Sequence, residues 1–287
     1  MTLPKITVVT PSFNQSGTLE DTILSVIGQC YPNLEYMVLD GGSSDGSLEI
    51  IQKYEEHLAY WVSAPDGGQT AAINEGFRRA TGDILAWLNS DDMYLPGALA
   101  HVAAHLDPRR AELLFGNCLS FRPADLRAWG SDVRAGASRH NLLLADYVPQ
   151  SSTFWTRATW DALGPLAENL NFGFDWEWFI RAHNSAVSCT PDDRHLSIML
   201  WHPQQKTTSG GDVRRRELES IYRTHAGPRY ADLYARCCRR RAAILRTRLW
   251  VRRLRLQPSE GRVFKATFPL LFRGFPSNEV ADIIAMV

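Results

Sequence analysis

The sequence predicts an α/β fold, in which a mostly parallel, Rossmann-like sheet is flanked by helices and followed by a helical, basic C-terminal extension. Strand-like apolar runs alternate with segments of helical periodicity through the first half of the chain, and such alternation builds parallel sheets. Turn residues follow the predicted strands. Residues 236–255 contain nine arginines and no acidic residue. We therefore predict an α/β domain at residues 1–210 and a helical, arginine-rich extension at residues 211–287.

The first elements are predicted from their local patterns. Residues 6–9 (Ile-Thr-Val-Val) are mainly β-branched and end at a Thr-Pro step, which predicts a strand. In residues 17–29 the apolar side chains recur every three or four positions, as they do in a helix. Residues 34–39 form an apolar strand that ends in a run of turn residues.

The same two patterns predict the remaining elements. Short apolar runs predict strands at residues 60–62, 84–88, 113–121 and 196–201. Helical spacing predicts helices at residues 47–57, 69–80, 96–106 and 175–183, and from residue 212 onward. The polar residues 122–139, which include several arginines, are predicted to form a loop that covers the site.

Length and composition are those of an ordinary globular protein. The 287 residues are 45% hydrophobic and 22% charged, with 31 basic and 31 acidic side chains, which excludes collagen-like and wholly disordered classes. The five cysteines form no Cys-x-x-Cys pair, as expected of a reducing compartment. Neither a signal peptide nor an apolar run of spanning length is recognisable. We therefore predict a cytoplasmic protein whose membrane contact, if any, is peripheral on the cytosolic face of the inner membrane.

Two common nucleotide-binding motifs are absent. The chain has no G-x-x-x-x-G-K-[ST] loop. Its first predicted strand ends in Thr-Pro-Ser-Phe-Asn, where a dinucleotide-binding fold carries G-x-G-x-x-G. These absences argue against P-loop NTPases and nicotinamide-dependent dehydrogenases.

Polar loops follow the four predicted strands of the N-terminal half. They lie at residues 10–14, 40–46, 64–68 and 89–92 and offer carboxylates, amides or glycines. Parallel strands end at one edge of a sheet, and ligands bind outside that edge. The four loops together therefore predict a polar ligand-binding crevice.

Asp91 and Asp92 directly follow an apolar strand. Two carboxylates fixed at the mouth of a sheet suit a hard divalent cation such as Mg²⁺ or Mn²⁺, whose shell is completed by substrate phosphates and water. Acids at a strand-to-helix turn also commonly cap the next helix, which is here predicted from Pro96. On this pair alone, the two interpretations have equal weight.

Asp40 and Asp66 also follow strands, and each lies beside glycines that let a ligand approach the backbone. An aspartate can accept a hydrogen bond from a base imide or a ribose hydroxyl, and Phe13 offers a ring for stacking. Turn formation is the alternative role of Asp-Gly sequences. For these two aspartates we favour the ligand.

Asp175 lies between Phe174 and Trp176 at the start of a predicted helix. Burial beside the two aromatic residues would raise its pKa toward that of a general base, and the same carboxylate can cap the helix. The two roles are compatible. His202 ends a predicted strand ahead of donors at residues 206–209, so it suits a diphosphate or a metal, whereas most single histidines are structural.

At these positions the sequence resembles the inverting family-2 glycosyltransferases, which have the GT-A fold. The resemblance covers roughly residues 4–210. Six motifs occur in the family's order, and they begin at Val8 (VVTPSFN), Val38 (VLDGGSSDGS), Pro65 (PDGGQ, then AINEGF and ATGD), Leu88 (LNSDD), Pro149 (PQSSTF) and Asp175 (DWEWFIR). Each motif alone is weak, and their shared order makes the resemblance specific.

The resemblance implies an enzyme that binds a UDP-, GDP- or dTDP-sugar with Mn²⁺ or Mg²⁺. It would transfer the sugar, with inversion, to a hydroxyl of a glycan or lipid-linked acceptor in cell-surface polysaccharide synthesis. Asp175 would deprotonate that hydroxyl. The implied metal ligands are Asp91, Asp92 and His202. The implied donor-binding residues are Pro11, Ser12, Phe13, Asn14, Asp40, Asp66, Gln69, Asn74, Asn89, Ser90, Asp91 and Lys206.

Two residues depart from the family's pattern. Asn89 stands where many members have the first aspartate of a metal-binding Asp-x-Asp motif, which would weaken the metal site unless Asp92 compensates. Gly41 stands where many have a second aspartate after Asp40, which leaves Asp66 as the second base contact and the choice of nucleotide open. Two other functions stay open: a catalytically silent nucleotide-sugar-binding protein, and a sugar-nucleotidyltransferase, against which the lack of a glycine-rich activating loop counts.

The arginine-rich residues 236–255 lie outside the resemblance. As an amphipathic helix with Trp250 and Leu254 on its apolar side, this segment suits an anionic membrane surface and hence a lipid-linked acceptor. As a solvated helix, it would pack its leucine and isoleucine side chains on the core. These two interpretations have equal weight, and a nucleic-acid partner ranks well behind both.

Overall fold

The chain is divided into two compact units. The computed structural model describes residues 3–202, 205–206 and 210–287. The first unit comprises Met1–Arg134 and Val148–Gln205, and the second comprises Ala135–Tyr147 and Lys206–Val287. The domain boundary at residue 210 stays a prediction.

One sheet organises the first unit. Its strands are β1 (Ile6–Ser12), β2 (Leu34–Asp40), β3 (Tyr60–Ser63), β4 (Ile84–Trp87), β5 (Asp92–Tyr94), β6 (Glu112–Arg122), β7 (Arg127–Gly130), β8 (Thr153–Thr156) and β9 (Ser188–Leu200). Their order is β3-β2-β1-β4-β8-β6-β9-β5, and β7 pairs with β6. The neighbours β3, β2, β1 and β4 are all parallel. Their carboxyl ends therefore meet at one edge, as the sequence predicts.

Helices flank this sheet and dominate the second unit. Up to residue 183 they are α1 (Leu19–Ile27), α2 (Ser47–Lys53), α3 (Gln69–Arg79), α4 (Ala98–His105), α5 (Val133–Arg139), α6 (Arg157–Leu163) and α7 (Phe174–His183). The C-terminal region carries α8 (Gly211–Ile221), α9 (Pro228–Arg239), α10 (Arg241–Arg253), α11 (Glu260–Thr267) and α12 (Ser277–Ala285). The α/β fold with a helical C-terminal region is confirmed. None of the helices in the described ranges is both long enough and apolar enough to cross a membrane.

The sheet is mixed beyond β4. Strand β8 runs antiparallel to β4 and β6, whereas β9 is parallel to β6 and antiparallel to β5. Although β5 follows β4 closely in the chain, it lies at the far end of the sheet, where Asp92 is opposite Met199 of β9. This pairing brings the residues after β4 next to the residues after β9.

The prediction of a loop at residues 122–139 is wrong, because the segment contains a strand and a helix. The segment contains β7, which forms an exposed hairpin with β6, and it ends in α5. An ion pair between Arg122 and Asp125 (Nη2 to Oδ2, 2.7 Å) closes the hairpin turn. Because β7 is exposed along its whole length, it has no buried face and lacks the alternating pattern by which strands are recognised.

Aromatic side chains hold α3 and α7 against the sheet. The ring of Trp155, on β8, lies 5.4 Å from Phe77 of α3, 5.4 Å from Trp87 of β4 and 4.8 Å from Trp178 of α7, measured between centroids. Phe174, the first residue of α7, lies 6.1 Å from Trp87. Burial of each such ring contributes about 1.5–3 kcal/mol. The start of α7 is therefore firmly held beside the end of β4.

The second unit has its own polar anchor. Buried Asp282, on α12, accepts hydrogen bonds from His140 Nδ1 (2.5 Å) and from Asn141 N (3.1 Å). The bond to Asp282 raises the pKa of His140. Tyr222 adds a hydrogen bond from its hydroxyl to Leu144 O (2.6 Å). These bonds explain why residues 135–147 group with the C-terminal helices.

Candidate active site

The loops after β1, β2 and β3 form a slot at the carboxyl edge of the sheet. A Cβ atom placed on Gly41 would lie 3.3 Å from Phe13 Cδ2 and 3.3 Å from Asp66 Oδ1. Phe13 is 60% exposed, and the Asp66 carboxylate faces solvent while accepting a hydrogen bond from Gly68 N (2.7 Å). We call this group the Phe13–Gly41–Asp66 slot. Because any side chain at Gly41 would crowd both neighbours, this glycine keeps the space between Phe13 and Asp66 open.

Asp40 is buried and fixes the loop that carries Gly41. Its Oδ2 accepts hydrogen bonds from Ser43 N (2.8 Å) and Ser63 Oγ (2.6 Å), and its Oδ1 accepts one from Ser43 Oγ (2.5 Å). These bonds stabilise the turn after β2, which is the alternative role of Asp40. A contact between Asp40 and a nucleotide stays a prediction.

Asn14 connects the loops after β1 and β2. It adopts a left-handed backbone conformation (φ 51°), its N–H donates to Ser43 Oγ (2.7 Å), and its Oδ1 accepts from Ser44 N (3.0 Å). Pro11 and Ser12 are buried at the end of β1. These residues hold the loop that presents Phe13, and their contact with a donor stays a prediction.

A chain of amides lies after β4. Asn89 Oδ1 accepts a hydrogen bond from Gln69 Nε2 (2.9 Å), Asn89 Nδ2 donates to Gln150 Oε1 (3.1 Å), and Gln150 Nε2 donates to Trp87 O (2.8 Å). An ionised aspartate at position 89 could not donate to Gln150. Asn89, which replaces the first aspartate of the family's motif, therefore suits its two glutamine partners. Gln150 was missed as a site residue, although its motif, PQSSTF, is visible in the sequence.

Asp91 and His202 meet at the carboxyl edge of the sheet. His202 Nε2 donates a hydrogen bond to Asp91 Oδ2 at 3.0 Å, and the two side chains are 21% and 20% exposed. The pairing follows from the fold, because β5 and β9 are paired directly beside these residues. The helix-capping interpretation of the two aspartates is wrong: β5 intervenes, and α4 begins after Gly97 without a side-chain cap.

Asp92 differs from its neighbour in burial. It is 4% exposed, and its N–H donates to Asn89 O (3.0 Å). Burial raises the pKa of Asp92 well above its usual range, and the charge of Asp91 raises it further, against a hydrogen bond from Asn89. Asp91 is therefore the carboxylate of this pair that reaches solvent, while the metal role of Asp92 stays a prediction.

Asp175 occupies the first turn of α7. The side chain is half-buried between buried Phe174 and Trp176, and Oδ1 accepts a hydrogen bond from Trp176 N (2.8 Å). The N-cap is Gly173, so the predicted capping role is wrong in position. A carboxylate in the first turn still interacts favourably with the helix dipole. That Asp175 acts as a base stays a prediction. That burial raises its pKa stays a prediction as well.

Three further residues that were predicted to bind the donor lie elsewhere: two are buried and bonded to other protein groups, and one belongs to the second unit. Asn74 is buried, where its Nδ2 donates to Leu166 O (3.0 Å) and its Oδ1 accepts from Leu166 N (3.0 Å). Ser90 is buried, and its carbonyl accepts a hydrogen bond from a threonine hydroxyl ahead of α1 (2.8 Å). Lys206 belongs to the second unit, and the predicted donors at residues 207–209 lie outside the described residues. Donor contacts of these residues stay predictions.

A separate group of side chains that could hold a metal ion lies on α4 and β9. One ligand atom each from His101, His105 and Asp192 lie within 4.8 Å of one another. The sequence pointed to none of them, because Asp192 is 91 residues from His101 in the chain. The described part of the chain thus has a His/Asp group that could hold a metal ion.

Comparisons with known proteins agree with the fold and the motifs. The sequence profile of Glycosyl transferase family 2 matches residues 7–175. The chain is 41% identical over 200 residues to an uncharacterized glycosyltransferase of Mycobacterium tuberculosis, which covers 66% of this chain and 71% of the relative. It is 31% identical over 157 residues to the GalNAc(5)-diNAcBac-PP-undecaprenol beta-1,3-glucosyltransferase of Campylobacter jejuni, which covers 50% of this chain and 49% of the relative.

Solved structures share the architecture. S. aureus TarS 1–349 in complex with UDP-GlcNAc has a TM-score of 0.59 at 18% identity, over 80% of this chain and 70% of that one; the chain covers 42% of another TarS structure. The mannosyltransferase PcManGT from Pyrobaculum calidifontis, in complex with GDP-Man and Mn²⁺, has a TM-score of 0.55 at 21% identity, over 76% of this chain and 63% of that one. At these identities the likeness concerns the GT-A fold.

Proposed function

The chain belongs to glycosyl transferase family 2, and from that membership we propose that it is an inverting, metal-dependent transferase that moves a sugar from a nucleotide-sugar donor to a hydroxyl group. The observation that carries the proposal is the Asp91–His202 pair (3.0 Å) after strands that end at the same sheet edge as the Phe13–Gly41–Asp66 slot. A flat slot and a metal-ligand pair suit the two parts of a nucleoside diphosphate, the planar base and the charged diphosphate.

In this proposal, the loops after β1, β2 and β3 bind the nucleoside. The exposed ring of Phe13 stacks on the base, and the Asp66 carboxylate accepts a hydrogen bond from the base or the ribose. Asp40 and Asn14 act by fixing these loops, since their polar atoms bond to the serines after β2. The amide of Asn89 keeps the next loop in place for the diphosphate.

Asp91 and His202 are the side chains that we propose hold Mn²⁺ or Mg²⁺. Carboxylate oxygen and imidazole nitrogen are both accepted by Mn²⁺, and the two atoms, 3.0 Å apart, can face one ion once the proton on His202 Nε2 has moved to Nδ1. When bound, the ion would neutralise charge that develops on the departing diphosphate. Asp92 would join the shell only after losing its proton, because burial favours its neutral form.

We assign proton removal from the acceptor hydroxyl to Asp175. Its carboxylate is oriented by the hydrogen bond from Trp176 N. The packing of Phe174 against Trp87 holds this first turn beside the end of β4. Removal of the proton lets the hydroxyl attack the anomeric carbon opposite the leaving diphosphate, and the configuration inverts.

For the acceptor, we propose a glycan, free or lipid-linked, in cell-surface polysaccharide synthesis. The name of the Campylobacter relative describes transfer of glucose to a PP-undecaprenol-linked glycan, and this supports the proposal by analogy. The two alternative functions make other predictions. A silent binder would take up donor without transfer, and a nucleotidyltransferase would consume a nucleoside triphosphate.

We expect one class of nucleotide-sugar, together with Mn²⁺ or Mg²⁺, to raise the melting temperature of the protein. A ligand at a hundred times its Kd adds about 2.7 kcal/mol of stability. The measurement is a set of thermal melts with UDP-, GDP-, dTDP- and CDP-sugars, each with and without metal. Phe13→Ala should reduce the shift because it removes the stacking surface, whereas Leu270→Ala, at another exposed apolar residue, should not.

The outcomes separate the three functions. A metal-dependent shift followed by sugar transfer supports the transferase. A shift without transfer to any glycan or lipid-linked acceptor would favour the silent binder, and turnover of a nucleoside triphosphate would favour the nucleotidyltransferase. The absence of any shift at millimolar donor, with either metal, would contradict donor binding by this chain.

We also propose that residues 236–255 bind an anionic membrane surface, on the cytosolic face of the inner membrane. On α10, Ile244 and Val251 are buried, but Leu249 and Trp250 are 66% and 70% exposed among exposed arginines. The solvated-helix interpretation accounts for the buried pair and leaves the exposed pair unexplained. Exposed apolar side chains beside arginines are typical of interfacial helices, and a groove of about 400 Å³ lined by Trp250 and other apolar residues continues this surface.

Co-sedimentation with vesicles tests this surface. The protein should bind vesicles rich in phosphatidylglycerol and should bind phosphatidylcholine vesicles far more weakly, with a strong dependence on salt. Each arginine near such a surface is worth about 1 kcal/mol, so Arg252→Glu with Arg253→Glu should weaken binding by about thirtyfold or more. Trp250→Ala should weaken it too, and Leu270→Ala is the control. Equal binding to both vesicle types would contradict the proposal that the arginines bind anionic lipid.

A further inference from the structure

We propose that His101, His105 and Asp192 form a second metal site, which takes a divalent transition ion of the zinc class. The two histidines lie four residues apart on α4, so both side chains project from the same face, and Asp192 is supplied by β9. One ligand atom from each lies within 4.8 Å of the others. Two imidazoles and one carboxylate are a ligand set that Zn²⁺ and Co²⁺ accept, with water in a fourth position.

The surrounding hydrogen bonds prepare this group for an ion. His105 Nδ1 donates to His101 O (2.7 Å), which leaves Nε2 with a free lone pair; ligating histidines commonly make this second bond to a backbone carbonyl. Asp192 Oδ1 accepts a hydrogen bond from Arg194 N (2.7 Å), and its Oδ2 faces His101 Nε2 at 3.0 Å. Both carboxylate oxygens of Asp192 are thus held in place beside the two histidines.

Arg194 is the one nearby group described here that opposes an ion. Its Nη1 lies 3.4 Å from His101 Nδ1, and because a guanidinium can only donate, this contact places the imidazole proton on Nε2, facing Asp192. An ion at Nε2 requires that proton to move to Nδ1, and Arg194 must then turn away. Its side chain is exposed, and the turn would also break the long hydrogen bond from its Nη2 to Pro96 O (3.5 Å). Removal of Arg194 should therefore strengthen metal binding.

The position of the group gives the ion a structural consequence. The side chains of His101 and Asp192 are 13% and 17% exposed, and His105 is exposed, so an ion can enter from solvent. Helix α4 begins four residues after β5, and β9 ends two residues before His202. An ion bound between α4 and β9 would stiffen both elements next to the Asp91–His202 pair.

The test measures binding of Co²⁺ and Zn²⁺ to the full chain carrying Asp91→Asn and His202→Ala, which removes the two donors that reach solvent in the candidate active site. We expect one ion per chain, with the visible absorption of tetrahedral Co²⁺. In this parent, His105→Ala and Asp192→Asn should each weaken binding by about tenfold or more, and Arg194→Ala should strengthen it.

The matched control is His57→Ala, since His57 also lies beside an acid, Glu56 (3.6 Å), on the surface. It should leave metal binding unchanged. A Zn²⁺-dependent rise in melting temperature, which His105→Ala removes, would support the site by a second readout; His105 is exposed, so its replacement should not unfold the chain. Unchanged binding in both His105→Ala and Asp192→Asn, or no Co²⁺ binding by the parent at millimolar metal, would overturn the proposal. Neither result depends on sugar transfer.

Discussion

Asp175→Asn should reduce the rate of sugar transfer by about 10²–10⁴-fold while the Kd of the donor stays the same. Asparagine has the same shape and can still accept the hydrogen bond from Trp176 N, but it cannot remove a proton from the acceptor. The lost charge in the first turn of α7 costs about 0.3–1 kcal/mol, so the variant should remain folded. The measurement pairs kcat for transfer with a donor titration by thermal shift.

The neighbouring acid provides the control for this variant. Glu177 lies two residues further along the same helix and pairs with Arg181 (3.0 Å). Glu177→Gln should therefore change stability slightly and transfer little. Transfer by Asp175→Asn at the rate of the unaltered protein would exclude this residue as the base, and loss of donor binding would make it a donor-binding residue instead.

The parallel half of the sheet could be predicted because its signals are local. Residues 84–88 are apolar and followed by polar residues, and the structure has β4 at Ile84–Trp87. The same holds for β1 and β2, each a short apolar run closed by turn residues. Since parallel neighbours end at one edge, these runs were enough to predict that the loops carrying Phe13, Asp66 and Asp91 lie at that edge.

The mixed half depends on pairings that no local pattern shows. The sequence predicted only residues 196–201 of the strand that the structure extends over Ser188–Leu200, because its first half is polar and is held by β6, far away in the chain. The contrast between Asp91 and Asp92 had the same cause. Asp92 is the first residue of β5 and is buried where that strand pairs with β9, whereas Asp91 lies just before the strand.

Asp91→Asn should lower metal-dependent transfer by about a hundredfold to a thousandfold and shift the Mn²⁺ titration to higher concentration. A metal ion at a departing diphosphate is worth several kcal/mol, and each 1.4 kcal/mol is about tenfold in rate. The substitution removes the charge from the carboxylate that reaches solvent, yet asparagine can still accept the hydrogen bond from His202 Nε2 (3.0 Å in the unaltered protein). The measurement is the rate of transfer as a function of Mn²⁺, made in a His105→Ala background so that only one group of ligands responds.

Asp92→Asn is the matched comparison, because it removes the adjacent carboxylate of the same loop. Asp92 is buried, and burial raises the pKa of its carboxyl group well above the usual range, so its substitution should disturb the Mn²⁺ titration less than Asp91→Asn does. Equal effects of the two variants would mean that the bound ion draws the proton from Asp92 and uses both carboxylates, which is how the chain would compensate for Asn89. Transfer by Asp91→Asn that is unchanged at every Mn²⁺ concentration would remove Asp91 from the metal site.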